Sequence, residues 1–483
     1  MKQLFGTDGV RGKAGDPPLD VPTIRRLGAA LVRVLRSVSS ERRESRGPAL
    51  SERRESNGPA LSERRESNGP VIRVLAGRDT RESGGWIERE LAFGMRSQGG
   101  TLTSAGIIPT PAVAYLTPRM GYTAGVVISA SHNPFEDNGI KVFSGAGEKF
   151  TESLERTVEA VVADASWSVS DGEAGPVEQV DLRSEYMTHL REILPPDTRT
   201  AGMRLAVDCA NGATTTVAPR LFEDLGFDVR HIGSQPDGKN INNGCGSTAP
   251  GLLAKMVVEG GFPIGVAFDG DGDRAIFVDG TGKVVDGDAV MLMCAKRMKA
   301  EGRLKGNAIV ATVMSNIGLE IALKNDGIGM VRCAVGDKYV MEEMLRRDLS
   351  LGGEQSGHII FSDYLFTGDG LATSLNVLRT MAATGRSLAD LAADLTTYPQ
   401  VLMNLRVKEK VDLKTLPSVA EVMSTVEGRL AGNGRLLVRY SGTEPLLRIM
   451  VEGEHEPDIR ALANAIAGAA RRSLGEPEAA AGS

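Results

Sequence analysis

The stretch Ile264-Gly-Val-Ala-Phe-Asp-Gly-Asp-Gly-Asp-Arg274 joins a short apolar run to a turn that carries three carboxylates. The apolar run, Ile264–Phe268, has the length and the flanking residues of a buried strand. Asp269, Asp271 and Asp273 follow it with only glycines between them, so a tight loop can bring their oxygens onto one hard cation. Oxygen-only ligation is typical of Mg²⁺ or Mn²⁺. The stretch therefore predicts a sheet strand that ends in a metal loop.

Two other interpretations of this acidic turn are available. An EF-hand also begins D-x-D-G-D, but Arg274 stands where that loop requires glycine, and Gly280 stands where it requires a bidentate glutamate. A solvated acidic turn is the second alternative. Three carboxylates without a cation would repel one another, which favours the metal site.

Short apolar runs alternate with amphipathic stretches through most of the 483 residues. Further strands are predicted at Ile72–Ala76, Gly125–Ile128, Ile140–Phe143, Leu205–Val207 and Ala308–Val313. Helices are predicted over Val21–Val38, Ile87–Gln98, Ala218–Leu225, Ala289–Ala300 and Lys338–Arg346. Repeated strand–helix alternation indicates several α/β units with mixed or parallel sheets.

After Pro399 the pattern changes to short strands and two helices. The strands are predicted at Val401–Val407, Arg435–Tyr440 and Leu447–Glu452, and the helices at Leu416–Gly428 and Ile459–Ser473. This pattern predicts a smaller α+β domain at the C-terminal end. A chain of this length needs more than one core, and we predict domains at 1–165, 180–284, 285–396 and 397–473, with 474–483 as a disordered tail.

Composition narrows the class of partner. A formal charge of -6 and only 4% aromatic residues argue against nucleic acid as the main partner. No apolar run is long enough to cross a bilayer, and the start MKQLFGTDGVRG lacks the apolar core of a signal peptide. We therefore expect no membrane partner and a cytoplasmic location. The four scattered cysteines are expected to be reduced, partly buried thiols.

An 11-residue repeat interrupts the first region, in the copies Ser40–Leu50, Ser51–Leu61 and Ser62–Ile72. Each copy carries a Gly-Pro pair and almost no apolar face, so it cannot bury enough surface to offset its ordering entropy. We interpret residues 40–70 as a low-complexity insertion in an exposed loop. A docking patch of mixed charge is the alternative.

The motif Ser129-Ala-Ser-His-Asn-Pro134 follows the strand at Gly125–Ile128 and could expose Ser131 as a nucleophile. It lacks the glycines of the hydrolase elbow. Lys141, farther along, could serve as an acid–base or phosphate partner. A structural serine-rich turn is the alternative.

Two further motifs carry polar side chains suited to a sugar phosphate. In Gly353-Glu-Gln-Ser-Gly-His358, Glu354 and Ser356 alternate as on one face of an extended segment, and His358 could act as an acid or base. A polar loop with a structural histidine is the alternative there. The second motif, Arg439-Tyr-Ser-Gly-Thr-Glu-Pro445 with Arg448 beyond it, offers a phosphate cradle. No nucleotide-binding glycine motif occurs.

These motifs, together with Phe5-Gly-Thr-Asp-Gly-Val-Arg-Gly12, resemble in their order the α-D-phosphohexomutase superfamily. The resemblance covers the chain except for Ser40–Pro70 and the tail, and it is strongest to members that act on glucosamine phosphate. It implies three related α/β domains around a central cleft and a smaller α+β C-terminal domain. It also implies an intramolecular phosphotransferase that interconverts the 6-phosphate and the 1-phosphate through a bound bisphosphate, for amino-sugar nucleotide and cell-wall precursor synthesis.

The resemblance further implies a role for each motif. Ser131 would carry the phosphoryl group and bind Mg²⁺ together with Asp269, Asp271 and Asp273. Glu354 and Ser356 would bind the sugar. The remaining residues would bind phosphate or surround the transfer site: Arg439, Ser441, Gly442, Thr443 and Arg448 for the phosphate that stays, and Arg11, Lys141, Arg274 and His358 for the one that moves.

The implied partners are a small sugar phosphate and either a priming kinase or a bisphosphate donor for Ser131, and a homodimer stays open. Within the superfamily, an enzyme for mannose or glucose phosphates is the alternative function. A metal-dependent phosphatase and a non-catalytic sugar-phosphate binding protein are the others. Binding alone needs neither Ser131 nor the metal loop, which disfavours the last.

Overall fold

The structure, a computed structural model, describes residues 4–6, 8–44, 71–195, 198, 202–430, 432–441 and 445–474. The chain divides into two compact units, Met1–Met314 with Val331–Ala392, and Ser315–Met330 with Ala393–Ser483. Most of the repeat and nearly all of the predicted tail lie outside the described residues. The predicted domain boundaries stay predictions.

The first region forms a mixed sheet in the strand order β1-β2-β6-β5-β3-β4-β7. Its strands are β1 (Phe5–Gly6), β2 (Gly9–Lys13), β3 (Arg73–Arg78), β4 (Thr101–Ile107), β5 (Ala124–Ile128), β6 (Asp137–Ser144) and β7 (Glu178–Gln179). Its helices are α1 (Val21–Glu44), α2 (Gly84–Ser97), α3 (Thr110–Arg119) and α4 (Glu152–Ala163).

The second region forms a sheet in the order β12-β11-β10-β8-β9. Its strands are β8 (Arg204–Asp208), β9 (Asp228–Ile232), β10 (Ile264–Phe268), β11 (Ala275–Asp279) and β12 (Val284–Val285). Its helices are α5 (Arg183–Arg191), α6 (Ala218–Asp224) and α7 (Gly251–Gly260).

The third region forms a sheet in the order β14-β13-β15-β16. Its strands are β13 (Ala308–Thr312), β14 (Gly329–Cys333), β15 (Leu351–Gly353) and β16 (Ile359–Phe361). Its helices are α8 (Gly287–Ala300), α9 (Ile317–Asn325), α10 (Asp337–Arg347), α11 (Gly370–Thr384) and α12 (Leu388–Ala392).

The C-terminal region forms an antiparallel sheet in the order β17-β19-β18. Its strands are β17 (Gln400–Arg406), β18 (Gly434–Tyr440) and β19 (Leu446–Gly453), and its helices are α13 (Pro417–Leu430) and α14 (Glu456–Leu474). Alternating apolar residues of the strands pack against both helices in one core. The predicted fold class, three related α/β units and a smaller α+β unit, is confirmed.

Four adjacent strands follow the same order in each of the three larger sheets, and this order positions the predicted site loops. In each sheet one of two parallel neighbours is followed in the chain by an antiparallel strand: β5 by β6, β10 by β11 and β15 by β16. The turn between these two strands carries Ser131 in the first sheet, Asp269–Asp273 in the second and Glu354–His358 in the third. The three motifs therefore occupy equivalent places.

The first helix is longer than the sequence pattern predicted. We expected Val21–Val38, but α1 continues to Glu44, so Ser40–Glu44 of the first repeat are helical and not part of a loop. The residues Ser40-Glu-Arg-Arg-Glu44 include good helix formers, and the first Gly-Pro pair comes only after them. Apolar residues of α1 pack against α2 and α4 in the core of the first sheet.

In the second unit, α9 is attached to the start of the C-terminal region by its N-cap. The side-chain oxygen of Asn316 accepts from the N–H of Gly318 at 2.9 Å, and its amide donates to the carbonyl of Tyr398 at 2.9 Å. The N–H of Tyr398 donates back to Asn316 at 3.0 Å. These bonds hold Ser315–Met330 to the C-terminal sheet region.

All four cysteines are free and buried, which confirms the predicted reduced thiols. Burial raises the pKa of Cys209 and Cys294 to about 12, so both are protonated at neutral pH. Among the described residues, no helix has the length and apolar character needed to span a bilayer.

Candidate active site

The serine loop between β5 and β6 holds Ser131 in a strained backbone conformation. Ser131 has a φ of +53°, in the left-handed region that residues other than glycine seldom adopt. Its N–H donates to the hydroxyl of Ser129 at 2.9 Å, and that hydroxyl donates to the Asp79 carboxylate at 2.5 Å. Because such strain persists only where the surroundings hold it, the loop fixes one serine side chain.

Arg81 is the main clamp on this loop. Its guanidinium, fully buried, donates to the carbonyl oxygens of Ser131 at 3.0 Å and Asn133 at 2.9 Å, and to the Asp79 carboxylate at 2.9 Å. The amide of Asn242 adds a bond to the Ser131 carbonyl at 2.9 Å. Neither Arg81 nor Asn242 was among the predicted site residues, because neither lies in a recognisable local motif.

The acidic loop lies directly against the serine. The hydroxyl of Ser131 donates to Oδ2 of Asp269 at 2.5 Å. Gly270 permits this approach, because a Cβ there would lie 2.5 Å from the Ser131 carbonyl oxygen. The structure therefore brings together two predicted motifs that lie 138 positions apart in sequence.

The three carboxylates of the acidic loop fit a metal ion. Asp269, Asp271 and Asp273 are buried, and each offers an oxygen within 4.8 Å of the others. Oδ1 of Asp271 and Oδ1 of Asp273 are buried without a hydrogen-bond partner in the described part of the chain. Burial and then repulsion from Asp273 and Asp271 raise the pKa of Asp269 well above its usual value. A hard cation would satisfy these oxygens and relieve that repulsion.

Lys141, on β6, supplies a fixed positive charge to this loop. Its Nζ lies 2.8 Å from Oδ2 of Asp271 and 2.9 Å from Oδ2 of Asp273. Burial alone would lower the pKa of Lys141, but the Asp271, Asp273 and Asp8 carboxylates raise it well above the usual range. Of the two predicted roles, the geometry favours a cationic phosphate partner over an acid or base.

Arg11 and Arg274 add positive charge near His132, the residue that follows Ser131. The Nε of Arg274 is buried without a hydrogen-bond partner among the described residues, while its backbone N–H donates to Asp269 at 3.1 Å. Arg11 contacts the Asp8 carboxylate. Burial, Arg274 and Arg11 together lower the pKa of His132 to about 4, and its ring nitrogen lies 3.3 Å from the Ser131 hydroxyl. Such a field suits a phosphoryl group on Ser131.

The third loop differs from the sequence expectation. Residues 354–357 form a turn and not an extended segment, since the N–H of Gly357 donates to the Glu354 carbonyl at 3.0 Å. Glu354 is buried and accepts from the N–H of Gly336 at 3.2 Å, whereas Ser356 is exposed. The two side chains therefore do not share one face, because glycine at position 357 turns the chain after Ser356.

Gln355, between Glu354 and Ser356, contacts the start of α8. Its side-chain amide donates to Asp286 at 3.1 Å, and its carbonyl accepts from the N–H of Gly287 at 2.9 Å. Asp286 is the N-cap of α8. Gln355 thus fixes its loop to the start of α8, which leaves the buried Glu354 as the acidic group of this motif.

The predicted phosphate cradle lies in the second unit. Arg439 on β18 and Arg448 on β19 stand directly opposite each other in the antiparallel register. Like charges opposite one another destabilise a strand pair, and an anion between them would remove that cost. The N–H of Ser441 donates to the carbonyl of Leu446 at 2.8 Å. Gly442 and Thr443 lie outside the described residues.

Comparison with known proteins gives four family matches in order along the chain. Their descriptions are Phosphoglucomutase/phosphomannomutase alpha/beta/alpha domain I, matching residues 56–168, domain II, matching 184–282, domain III, matching 286–398, and the C-terminal domain, matching 402–469. Together these ranges cover most of the chain.

Curated relatives match over nearly the full length. The phosphoglucosamine mutase of Syntrophotalea carbinolica is 44% identical, over 98% of this chain and 98% of that protein. That of Solibacter usitatus is 45% identical, over 98% of this chain and 100% of that protein. A crystal structure of a phosphoglucomutase/phosphomannomutase family protein from Burkholderia thailandensis has the same fold, with a TM-score of 0.75 at 22% identity and 99% of both chains covered.

Proposed function

This chain belongs to the phosphoglucomutase/phosphomannomutase family, and we propose that it interconverts glucosamine 6-phosphate and glucosamine 1-phosphate. The relatives named for this reaction cover nearly the whole chain. The single observation that carries the mechanism is the contact between the Ser131 hydroxyl and Asp269 at 2.5 Å. It joins a constrained serine to three buried carboxylates and a buried lysine, which is what a phosphoserine carrier requires.

Ser131 carries the phosphoryl group between two positions of the sugar. In the first half, the bond between phosphorus and Oγ of Ser131 breaks as a bond forms to the free sugar hydroxyl oxygen, and the hydroxyl proton passes to the serine. The sugar bisphosphate then turns over, and Ser131 recovers the other phosphoryl group by the reverse step. Phosphoryl transfer needs chiefly in-line positioning and neutralised charge, which the Ser131 loop, Lys141 and Arg274 supply.

Asp269, Asp271 and Asp273, together with phosphorylated Ser131, would hold Mg²⁺ in this proposal. When bound, the ion neutralises charge on the moving phosphoryl group. The chain's own contribution is to keep the three carboxylates converged, with Lys141 at 2.8 Å from Asp271 so that the loop does not carry an uncompensated triple negative charge.

Two sets of residues bind the substrate, one at the sugar and one at the phosphate that is not transferred. Glu354 supplies a buried carboxylate for the ammonium at C2 of glucosamine, and Ser356 contributes a hydroxyl. Arg439, Ser441, Gly442, Thr443 and Arg448 bind the phosphate that is not being transferred. The opposed arginines on β18 and β19 support this role.

The enzyme needs a first phosphoryl group on Ser131, which we assign to a priming kinase or to a sugar bisphosphate donor. We also propose a cytoplasmic location, because kinases and sugar bisphosphates are available to the enzyme there. Assembly as a homodimer stays a prediction, and sedimentation of the purified protein would test it.

The test is direct conversion of glucosamine 6-phosphate by the purified chain with Mg²⁺ and a catalytic amount of glucose 1,6-bisphosphate to phosphorylate Ser131, followed by phosphorus NMR. We expect the 1-phosphate resonance to grow with total organic phosphate unchanged. Release of inorganic phosphate would indicate a phosphatase instead. Equal or faster turnover of glucose or mannose phosphates would reassign the substrate within the same family.

A further inference from the structure

A chain of alternating charges leads from the acidic loop to His358. Lys141 lies 3.3 Å from the Asp8 carboxylate, and the other oxygen of Asp8 accepts from Nζ of Lys149 at 2.6 Å. Lys149 also contacts the carboxylate of Asp337, whose Oδ2 lies 3.3 Å from Nε2 of His358. Neither Lys149 nor Asp337 carries a role in the reaction as proposed above.

His358 is buried, and its polar neighbour in this series of charged residues is Asp337. Only 2% of the histidine is exposed, and both ring nitrogens lack an aligned hydrogen bond in the described part of the chain. The short distance from Nε2 to Asp337 is therefore an electrostatic contact rather than an aligned bond. The backbone of Gly368 packs against the Nε2 edge of the ring, where a side chain at position 368 would collide. Gly368 therefore limits the space at Nε2, where the Asp337 carboxylate is the acidic group within 4 Å among the described residues.

Asp337 is fixed in turn by its place and its partner. It opens α10, and Lys149 shares its charge between Asp337 and Asp8, so neither carboxylate is buried alone. Removing one member of a buried ion pair leaves the other uncompensated. The pair therefore keeps the Asp337 carboxylate ionised beside the imidazole.

A second ion pair joins the same two segments and supplies a control. Nζ of Lys338, the next residue of α10, donates to Glu155 at 2.7 Å. This pair also connects the start of α10 to the segment around α4. The two side chains contact each other. A variant that breaks this pair should therefore disturb the packing of α10 without removing the carboxylate beside His358.

We propose that Asp337, held by Lys149, is a positioning residue that fixes the proton of His358 on Nε2. A carboxylate facing one ring nitrogen favours the tautomer that carries the proton on that nitrogen. Nδ1 then keeps its lone pair and accepts a hydrogen bond from the sugar hydroxyl that receives the phosphoryl group. The expected effect on turnover rests on the proposed function. The expected tautomer of His358 does not, because it depends only on the contact with Asp337.

The first test reads the tautomer without any activity. Selectively ¹⁵N-labelled histidine gives five side-chain signal sets, and loss of one set in His358→Gln assigns it. In the wild-type protein we expect His358 to be protonated on Nε2. A wild-type His358 protonated on Nδ1 overturns the proposal, whether or not the chain turns over glucosamine 6-phosphate.

The second test compares Asp337→Asn with Lys338→Met and Asp337→Glu. In Asp337→Asn we expect the tautomer to change and kcat to fall at least tenfold, with KM within threefold, because the amide can donate to Nε2. Asp337→Glu should keep the Nε2 proton, and Lys338→Met should keep both the tautomer and kcat within twofold. Equal losses in Asp337→Asn and Lys338→Met, with the tautomer unchanged, would show that Asp337 only docks α10.

Discussion

The hydroxyl of Ser131 and the carboxylate of Asp269 lie 2.5 Å apart, although 138 positions separate them in the chain. The contact follows from topology, since Ser131 lies between β5 and β6 and Asp269 between β10 and β11, which are equivalent strand pairs of their two sheets. Gly270 removes the side chain that would keep the two turns apart. We propose that a serine and an acidic loop that meet in this way form a phosphoryl carrier, and the predictions below test its parts.

The acidic loop should make turnover dependent on a divalent cation. We expect chelation to abolish conversion and Mg²⁺ to restore it. Asp271→Asn should raise the Mg²⁺ concentration needed for half-maximal rate by about tenfold or more, because it removes one of three charged oxygen ligands. The exposed Asp228→Asn serves as the control. A cation requirement unchanged in Asp271→Asn would remove this residue from the metal site.

Arg81 should stabilise the serine loop, so its removal should lower the free energy of unfolding by a large amount. Arg81→Met leaves the buried Asp79 uncompensated and frees the carbonyls of Ser131 and Asn133. We expect the free energy of unfolding in urea to fall by about 3–5 kcal/mol. The matched control is Arg183→Met, which breaks an exposed pair with Asp181. Equal, small changes in both variants would mean that Arg81 does not clamp the loop.

Asp369 should make the protein less stable as pH rises through its titration. Burial raises the pKa of Asp369 from 3.8 to about 6, although Tyr186 donates to it at 2.7 Å. Between those values the folded protein keeps a proton that the unfolded chain has lost, so the free energy of unfolding falls as pH increases. The fall is at most about 3 kcal/mol.

The comparison that isolates this effect is Asp369→Asn, which preserves a side-chain acceptor for the N-cap of α11. Relative to wild type, the variant should gain stability steadily between pH 4 and pH 7 in urea unfolding. Parallel stability curves for the two proteins over that range would show that the Asp369 carboxylate is not held protonated by the fold.

The order of the site motifs is readable from sequence because each lies on a local pattern. Ile264–Phe268 and Gly125–Ile128 are apolar runs bounded by turn residues, and the structure places strands there within one residue. The contacts between motifs have no such pattern. Lys149 and Asp337 lie 188 positions apart, and neither sits in a distinctive local sequence.

Local geometry within a turn is equally hard to predict. Glu354 and Ser356 read as one face of a strand by their spacing, yet the turn closed by Gly357 buries the first and exposes the second. Helix α1 passes into the first repeat because its first residues are compatible with a helix. The residue types allow a strand or a turn at 354–357, and a helix or a loop at 40–44. The sequence alone does not decide between them.

Glu354 should set the preference for an amino sugar. Its buried carboxylate can form a charge-assisted hydrogen bond with the C2 ammonium, where a hydroxyl gains only a neutral bond. Glu354→Gln should lower kcat/KM for glucosamine 6-phosphate about ten- to thirtyfold and change that for glucose 6-phosphate little. The control is Glu259→Gln, the same change at an exposed glutamate of α7. A similar loss with both sugars would mean that Glu354 supports the loop and does not select the substrate.

The central claim is that the phosphoryl group travels through Ser131. The most direct measurement loads the enzyme with ³²P-phosphate from labelled glucose 1,6-bisphosphate, isolates it, and adds unlabelled glucosamine 6-phosphate in a single turnover. We predict that label on the Ser131 peptide disappears as label appears in sugar phosphate, and that Ser131→Ala takes up no label and has no turnover. Label that stays on the peptide while product forms, or full activity in Ser131→Ala, would contradict the account.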